Sequence, residues 1–229
     1  MDSPSANKKL RPHADSVRSA GGICINGERP RAVPPSQSRL DESTIVVYQA
    51  YSPEIAEPAL AAGTFVPPFG MSRMTWIKPS FLWMAYRSGW ASKPGQTSVL
   101  RIRIKRSRFD WALANSCLSH FDRNQHASEA AWNAQVRKTP VRIQWDPEQN
   151  IHMQPQQKIR SLQIGLSGEA VELYVNDWIT SIEDATTEMR HVRDVVKTDT
   201  RAATDLLPAE IPYPLPDDVA RHIAASPFD

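Results

Sequence analysis

Residues 99–106 read VLRIRIKR. Apolar and basic residues alternate, which is the two-residue period of a strand. Leu100, Ile102 and Ile104 point to one face, and Arg101, Arg103 and Lys105 to the other. A strand buried on both faces, as in an all-parallel doubly wound sheet, would not carry a charged side. This stretch therefore favours an α+β fold with a mixed or mainly antiparallel sheet and packed helices.

Upstream, residues 44–51 (TIVVYQAY) are β-branched and aromatic and read as a buried strand. Ser52-Pro53-Glu54 then opens a helix, with Ser52 at the N-cap and Pro53 at the first helical position. Gly63 ends it. Residues 74–78 (MTWIK) alternate as a short strand that Pro79 stops. Ser80 caps the next segment, FLWMAYRSGW, which is apolar almost all round and so reads as a buried helix ending at Gly89.

Downstream, residues 109–118 and 127–138 read as helices. Residues 141–145 (VRIQW) alternate as a strand, which Asp146-Pro147-Glu148 closes as a turn. A further strand spans 159–166, residues 170–178 form a helix or a strand, and 182–196 form a charged amphipathic helix. These elements make a single domain over 43–197. Residues 1–42 lack an apolar period and read as a disordered basic, Pro- and Ser-containing tail. Prolines at 208, 212, 214 and 216 mark 198–229 as an extended tail.

Composition narrows the function classes. Of 229 residues 41% are apolar and 23% charged, as in an ordinary globular chain. The net charge of +2 means that any affinity for nucleic acid must come from a local patch. Lys8, Lys9 and Arg11 form one such weak patch, of the kind that serves nuclear localisation, although a solvated tail explains it as well. Cys24 and Cys117 are too few for a disulfide scaffold, and neither has a CxxC or CxxH neighbour for zinc. No apolar run reaches the roughly 20 residues that span a bilayer. The expectation is an intracellular protein, cytoplasmic or nuclear, with no membrane partner and no metal site.

The densest aromatic stretch is residues 71–90, MSRMTWIKPSFLWMAYRSGW. Together with VLRIRIKR at 99–106, QWDPE at 144–148 and RSLQIGL at 160–166, it resembles the domain-of-unknown-function 4291 family from about residue 45 to about residue 187. That resemblance implies motifs and no activity. A more distant resemblance is to ADP-ribosyltransferase-like folds, which start with a strand, pass through an aromatic strand–helix element and place a glutamate at a later strand end. It implies NAD as a ligand. Tyr48-Gln49 stand where those folds usually carry Arg or His on the first strand.

Three constellations are candidates for chemistry. In the aromatic stretch, Trp76, Trp83 and Tyr86 would wall a pocket and stack a base or nicotinamide, at roughly 1–3 kcal/mol per base. Arg73, Lys78 and Arg87 would hold phosphate or carboxylate. Core packing accounts for Phe81, Leu82 and Met84, and helix capping for Ser80, which is kept among the ligand-binding candidates. In QWDPE, Gln144 and Asp146 would help bind the ligand, and Glu148 would orient a ribose hydroxyl or act as a general base. Turn formation explains the same residues. Tyr48, Gln49, Arg87 and Glu148 are the catalytic candidates. On the basic strand, Arg101, Arg103 and Lys105 would join Arg142 in a cationic sheet face for nucleic acid, if the two strands are neighbours. The first reading is a group-transfer enzyme on a nucleotide- or NAD-type ligand. The alternative is a nucleic-acid-binding module without chemistry.

Overall fold

A computed structural model describes residues 22–26 and 43–225. The expected α+β class holds: nine strands in three sheets, with eight helices, among the described residues. The first large sheet is antiparallel in the order β2 (Thr44–Tyr51), β4 (Ser98–Lys105), β8 (Ile179–Asp184). β4 lies at its centre, with Thr44 opposite Lys105 and Tyr51 opposite Ser98. The second is β3 (Thr75–Ile77), β7 (Pro155–Leu166), β6 (Val141–Gln149), β5 (Ser116–Leu118). It is mixed, because β5 runs parallel to β6 while β3 and β6 run antiparallel to β7. β1 (Gly22–Asn26) pairs with β9 (Glu210–Pro214) in a small third sheet.

The two large sheets meet at one point. The Tyr48 amide donates to the Lys78 carbonyl at 2.7 Å, and the Lys78 amide returns the bond at 3.2 Å. Lys78 thus stands on the seam, immediately after β3. Pro79 follows, and α2 (Phe81–Ser88) begins with the Ser80 hydroxyl accepting the Trp83 amide at 3.0 Å. Gly89 closes α2 in the left-handed conformation that a glycine adopts without steric cost.

β2 is covered on both sides, which explains its unbroken apolar run. Ile45 and Val47 face a core shared with α1 (Pro53–Ala62) and α3 (Arg106–Ala114). Val46 and Tyr48 face a second core made by α2 and α6 (Thr186–Val196). β4 alternates because its other side meets the charged edge of α6.

Several sequence expectations need correction. Asp146-Pro147-Glu148 does not form a turn; β6 runs on to Gln149 opposite an extended β7, with an irregularity between Pro147 and Gln149. Proline has no amide to donate, so the ladder slips there rather than ending. Residues 182–196 are not one helix; they divide into the end of β8 and α6. Residues 170–178 are helical: α5 (Glu169–Leu173) runs into a π-helical turn, Tyr174–Trp178. α4 (Glu129–Lys138) starts as expected, with the Ser128 hydroxyl accepting the Ala131 amide at 3.1 Å.

The largest correction concerns the ends. The stretch expected as an extended tail contains α7 (Thr200–Asp205), β9 and α8 (Asp217–His222). Tyr213, Leu215, Ala220 and Ile223 are buried in the main core. The Tyr213 ring packs edge-on to Phe109 at 5.2 Å, and its hydroxyl donates to Asp110. Prolines do not exclude a strand at a sheet edge, where ladder amides are dispensable. Residues 22–26 of the expected N-terminal tail form β1. Lys8, Lys9 and Arg11 lie outside the described residues.

Candidate functional site

A cleft of about 770 Å³ opens at the seam between the two large sheets. The end of β2 and β3 form one wall, α2 another, and β6 and β7 the floor. Eight of the residues singled out from the sequence line it: Gln49, Arg73, Trp76, Lys78, Trp83, Arg87, Gln144 and Asp146.

Lys78 is the most unusual of them. It is 6% exposed, and no carboxylate among the described residues lies within ion-pair distance of its amine. Its one hydrogen bond among the described residues is a long contact, 3.4 Å, to the Trp76 carbonyl oxygen. The amine also sits over the Trp83 ring, 5.3 Å from its centroid. Burial and the nearby Arg87 charge depress its pKa to about 7, against a smaller opposing pull from Asp146. A lysine so placed is held close to the neutral amine at physiological pH.

Asp146 is the only carboxylate among the cleft residues described. The Gln144 side-chain amide donates to it at 3.1 Å, and the Gln163 amide donates from the neighbouring strand. Two neutral donors fix the carboxylate's orientation. Trp76 lies flat on β7: a Cβ at Gly165, its cross-strand partner, would stand 3.0 Å from the indole ring. Only glycine there lets the ring sit on the strand and face the cleft. Arg87 lies at the exposed end of α2, where its guanidinium donates to Gln96 at 3.0 Å.

Gln49 lines the cleft but has a structural occupation. Its amide donates to Tyr51 Oη at 2.9 Å, Thr75 Oγ1 at 2.7 Å and the Trp76 carbonyl at 3.2 Å. Its oxygen accepts from Tyr174 Oη at 2.8 Å. With both ends committed, it positions β3 against β2 rather than reacting. Burial pushes the Tyr51 hydroxyl up to about 12, so it stays protonated in this network.

The other candidates stand elsewhere. The Tyr48 side chain points away from the cleft, packed edge-on against Phe81 at 5.6 Å with the Arg101 guanidinium over its ring at 5.9 Å. Strand alternation accounts for this, since its neighbour Gln49 takes the cleft side. Glu148 is buried at the start of α2, where it accepts the Gln149 amide at 2.8 Å and lies against the Ser80 and Ser161 hydroxyls. Desolvation raises its pKa. Glu210 of β9 joins it there and accepts the Phe81 amide at 3.0 Å. Ser80 is thus a cap and a Glu148 partner. Tyr86 is exposed and lines a smaller hollow of about 210 Å³ with Trp83, Asp146 and Pro147, next to the cleft.

The basic strand does not present a free cationic face. Arg101 pairs with Glu188 at 2.6 Å, Arg103 lies 3.9 Å from Glu183, and Lys105 pairs with Asp177 at 2.6 Å. Arg142 sits in the other large sheet and donates to the Thr139 and Val136 carbonyls at the end of α4. The strands that would have made the stripe are not neighbours. Among the described residues no group of three or more His, Cys, Asp or Glu side chains could hold a metal ion, and no helix is long and apolar enough to cross a membrane.

Residues missed from the sequence are Tyr51, Thr75, Gln163 and Tyr174. Gln163 carried a signal: it is a lone polar residue inside the apolar run LQIGL.

The sequence pattern of one family, described as a domain of unknown function, DUF4291, matches residues 37–213. The chain belongs to the DUF4291 family. The matched span holds every cleft residue named above and extends through Tyr213 of β9. No curated protein and no solved structure matches this DUF4291 chain.

Proposed function

We propose that this DUF4291 chain binds a nucleotide- or NAD-type ligand in the seam cleft and carries out group transfer on it. The observation that carries the reading is Lys78, a buried amine inside an open cleft with no carboxylate partner among the described residues. Charging that buried amine without a partner costs several kcal/mol, a cost that an anionic ligand would offset. Arg73 and Arg87 add two further cationic groups on the same cleft, suited to phosphate. Trp76 and Trp83 offer ring faces for a base or nicotinamide. Asp146 is an acceptor of fixed orientation, able to take a ribose hydroxyl or to act as a general base. ADP-ribosyl transfer from NAD is one form of this chemistry. Asp146 would then serve as its carboxylate, since Glu148 lies outside the cleft.

Thermal-shift measurements on the full chain with ATP, NAD and ADP-ribose test the reading. At a ligand concentration about a hundredfold above Kd, roughly 2.7 kcal/mol of stabilisation is expected. The shift should vanish in Lys78→Met. No shift with any of the three, at low salt, would overturn it.

A further inference from the structure

We propose that the Lys78 amine captures carbonyl compounds, forming an imine with an aldehyde or ketone whose phosphate or carboxylate is held by Arg73 and Arg87. The inference rests on the cleft's taking an anionic ligand, and not on that ligand's being a nucleotide.

An imine-forming lysine must be neutral, fixed and reachable. Lys78 meets the first condition through its surroundings: a buried stem, two arginines on the same cleft, an aromatic ring below the amine, and no ion-pair partner among the described residues. Its depressed pKa agrees with that environment. It meets the second because its backbone is held by two hydrogen bonds to Tyr48 and is followed by Pro79. It meets the third because it lines an open cleft large enough for a small molecule.

The other described lysines lack that combination. Lys105 and Lys197 are paired with Asp177 and Asp194. Lys93 is exposed and donates to the Tyr86 and Arg87 carbonyls. Lys138 and Lys158 are exposed.

The step balances without an oxidant or reductant. The Nζ lone pair attacks the carbonyl carbon, a C–N bond forms, and the C=O π pair moves to oxygen, which takes up a proton. The carbinolamine then loses its oxygen as water. Both hydrogens of that water are the two that the amine gives up, leaving the neutral imine. Asp146 is the carboxylate available in the cleft to carry the proton from nitrogen to the departing oxygen.

Pyridoxal 5′-phosphate, a flat aldehyde bearing a phosphate, is the probe. The full chain is treated at pH 7 with less than one equivalent, reduced with borohydride and mapped by peptide mass spectrometry. Label at Lys78 should exceed that at any other described lysine by about tenfold or more, because an amine of ordinary pKa is almost fully protonated at that pH. Inorganic pyrophosphate should protect Lys78, pyridoxal lacking the phosphate should label it more weakly, and Lys78→Met should lose that label. Label spread over the exposed lysines, with Lys78 not enriched, would overturn the proposal. A circular-dichroism melt of Lys78→Met verifies that the variant folds. Capture at Lys78 with no thermal shift from ATP, NAD or ADP-ribose would sustain this inference and remove the nucleotide reading. Nucleotide binding without capture would do the reverse.

Discussion

Arg101 and Lys78 are both largely withdrawn from water, and both pair with Tyr48, Arg101 within the first large sheet and Lys78 across the seam. Their surroundings differ in one respect. Arg101 finds Glu188 at 2.6 Å, with Glu183 at 3.9 Å. Lys78 finds a carbonyl oxygen at 3.4 Å and a tryptophan face. The first cation is satisfied inside the fold, so its work is structural. The second is left for something the fold does not supply. The placement of carboxylates, more than that of the cations, separates scaffold from site.

Four substitutions and one titration would break or sharpen that contrast. The largest expected effect is in Lys78→Met. Affinity for an anionic ligand should fall by about 2–4 kcal/mol, read by calorimetry, because a charge-assisted contact is lost. The free protein should become more stable by about 1–3 kcal/mol, because an unpaired buried amine is removed. A variant less stable than wild type would mean that the amine has a partner after all. Arg101→Met should act in the opposite sense. It leaves Glu188 facing the sheet without its cation and should cost about 2–3 kcal/mol in denaturant unfolding, tempered by the partial exposure of Glu188. An unchanged midpoint would show that the pair contributes nothing.

Gly165→Ala probes the floor of the cleft. The added methyl would stand 3.0 Å from the Trp76 ring. About 1–2 kcal/mol of destabilisation is expected, with a changed tryptophan emission and weaker ligand binding. Emission and affinity equal to wild type would detach Trp76 from the site.

The smallest effect is one of pH, at the other buried charge cluster. Burial, with the Glu148 charge beside it, raises Glu210 from an ordinary 4.5 to about 7. The folded state therefore binds the Glu210 proton more tightly than the unfolded state. That contribution is full below about 4.5 and is lost as pH rises through about 7. Since Glu210 sits on β9, the loss would loosen the junction of β9 with α2. Glu210→Gln should flatten that part of the stability profile. Identical slopes from pH 4.5 to 7 in the two proteins would show that Glu210 is not held protonated.

Much of the scaffold was legible because it follows local rules. The alternation of 99–106 places β4, Ser80 and Gly89 bracket α2, and Pro53 and Gly63 bracket α1. The rest depended on partners distant in the chain. QWDPE reads as a turn until an extended β7 offers it a ladder. Residues 198–229 read as a tail until Phe109, Asp110 and Arg106 receive Tyr213. The site followed the same division. Trp76, Lys78, Trp83 and Arg87 were found together because they are close in sequence, and Gln144 and Asp146 joined them through a motif. Arg101 looked like a nucleic-acid-binding cation because Glu188 lies 87 residues away. Glu148 looked catalytic because nothing local shows that it turns under α2.

The most direct test is to titrate the lysines themselves, by NMR of the full chain carrying ¹³C at the lysine ε-carbons, with and without inorganic pyrophosphate. For Lys78 the sign is fixed by the depressed folded value. Stability from the neutral amine is present above 10.5 and is lost as pH falls through about 7. One lysine resonance should therefore titrate near 7, be absent from Lys78→Met, and move to a higher pKa when pyrophosphate binds. If every lysine titrates in the ordinary range near 10.4, or the low-titrating one ignores the anion, then Lys78 is not an amine waiting for an anionic ligand.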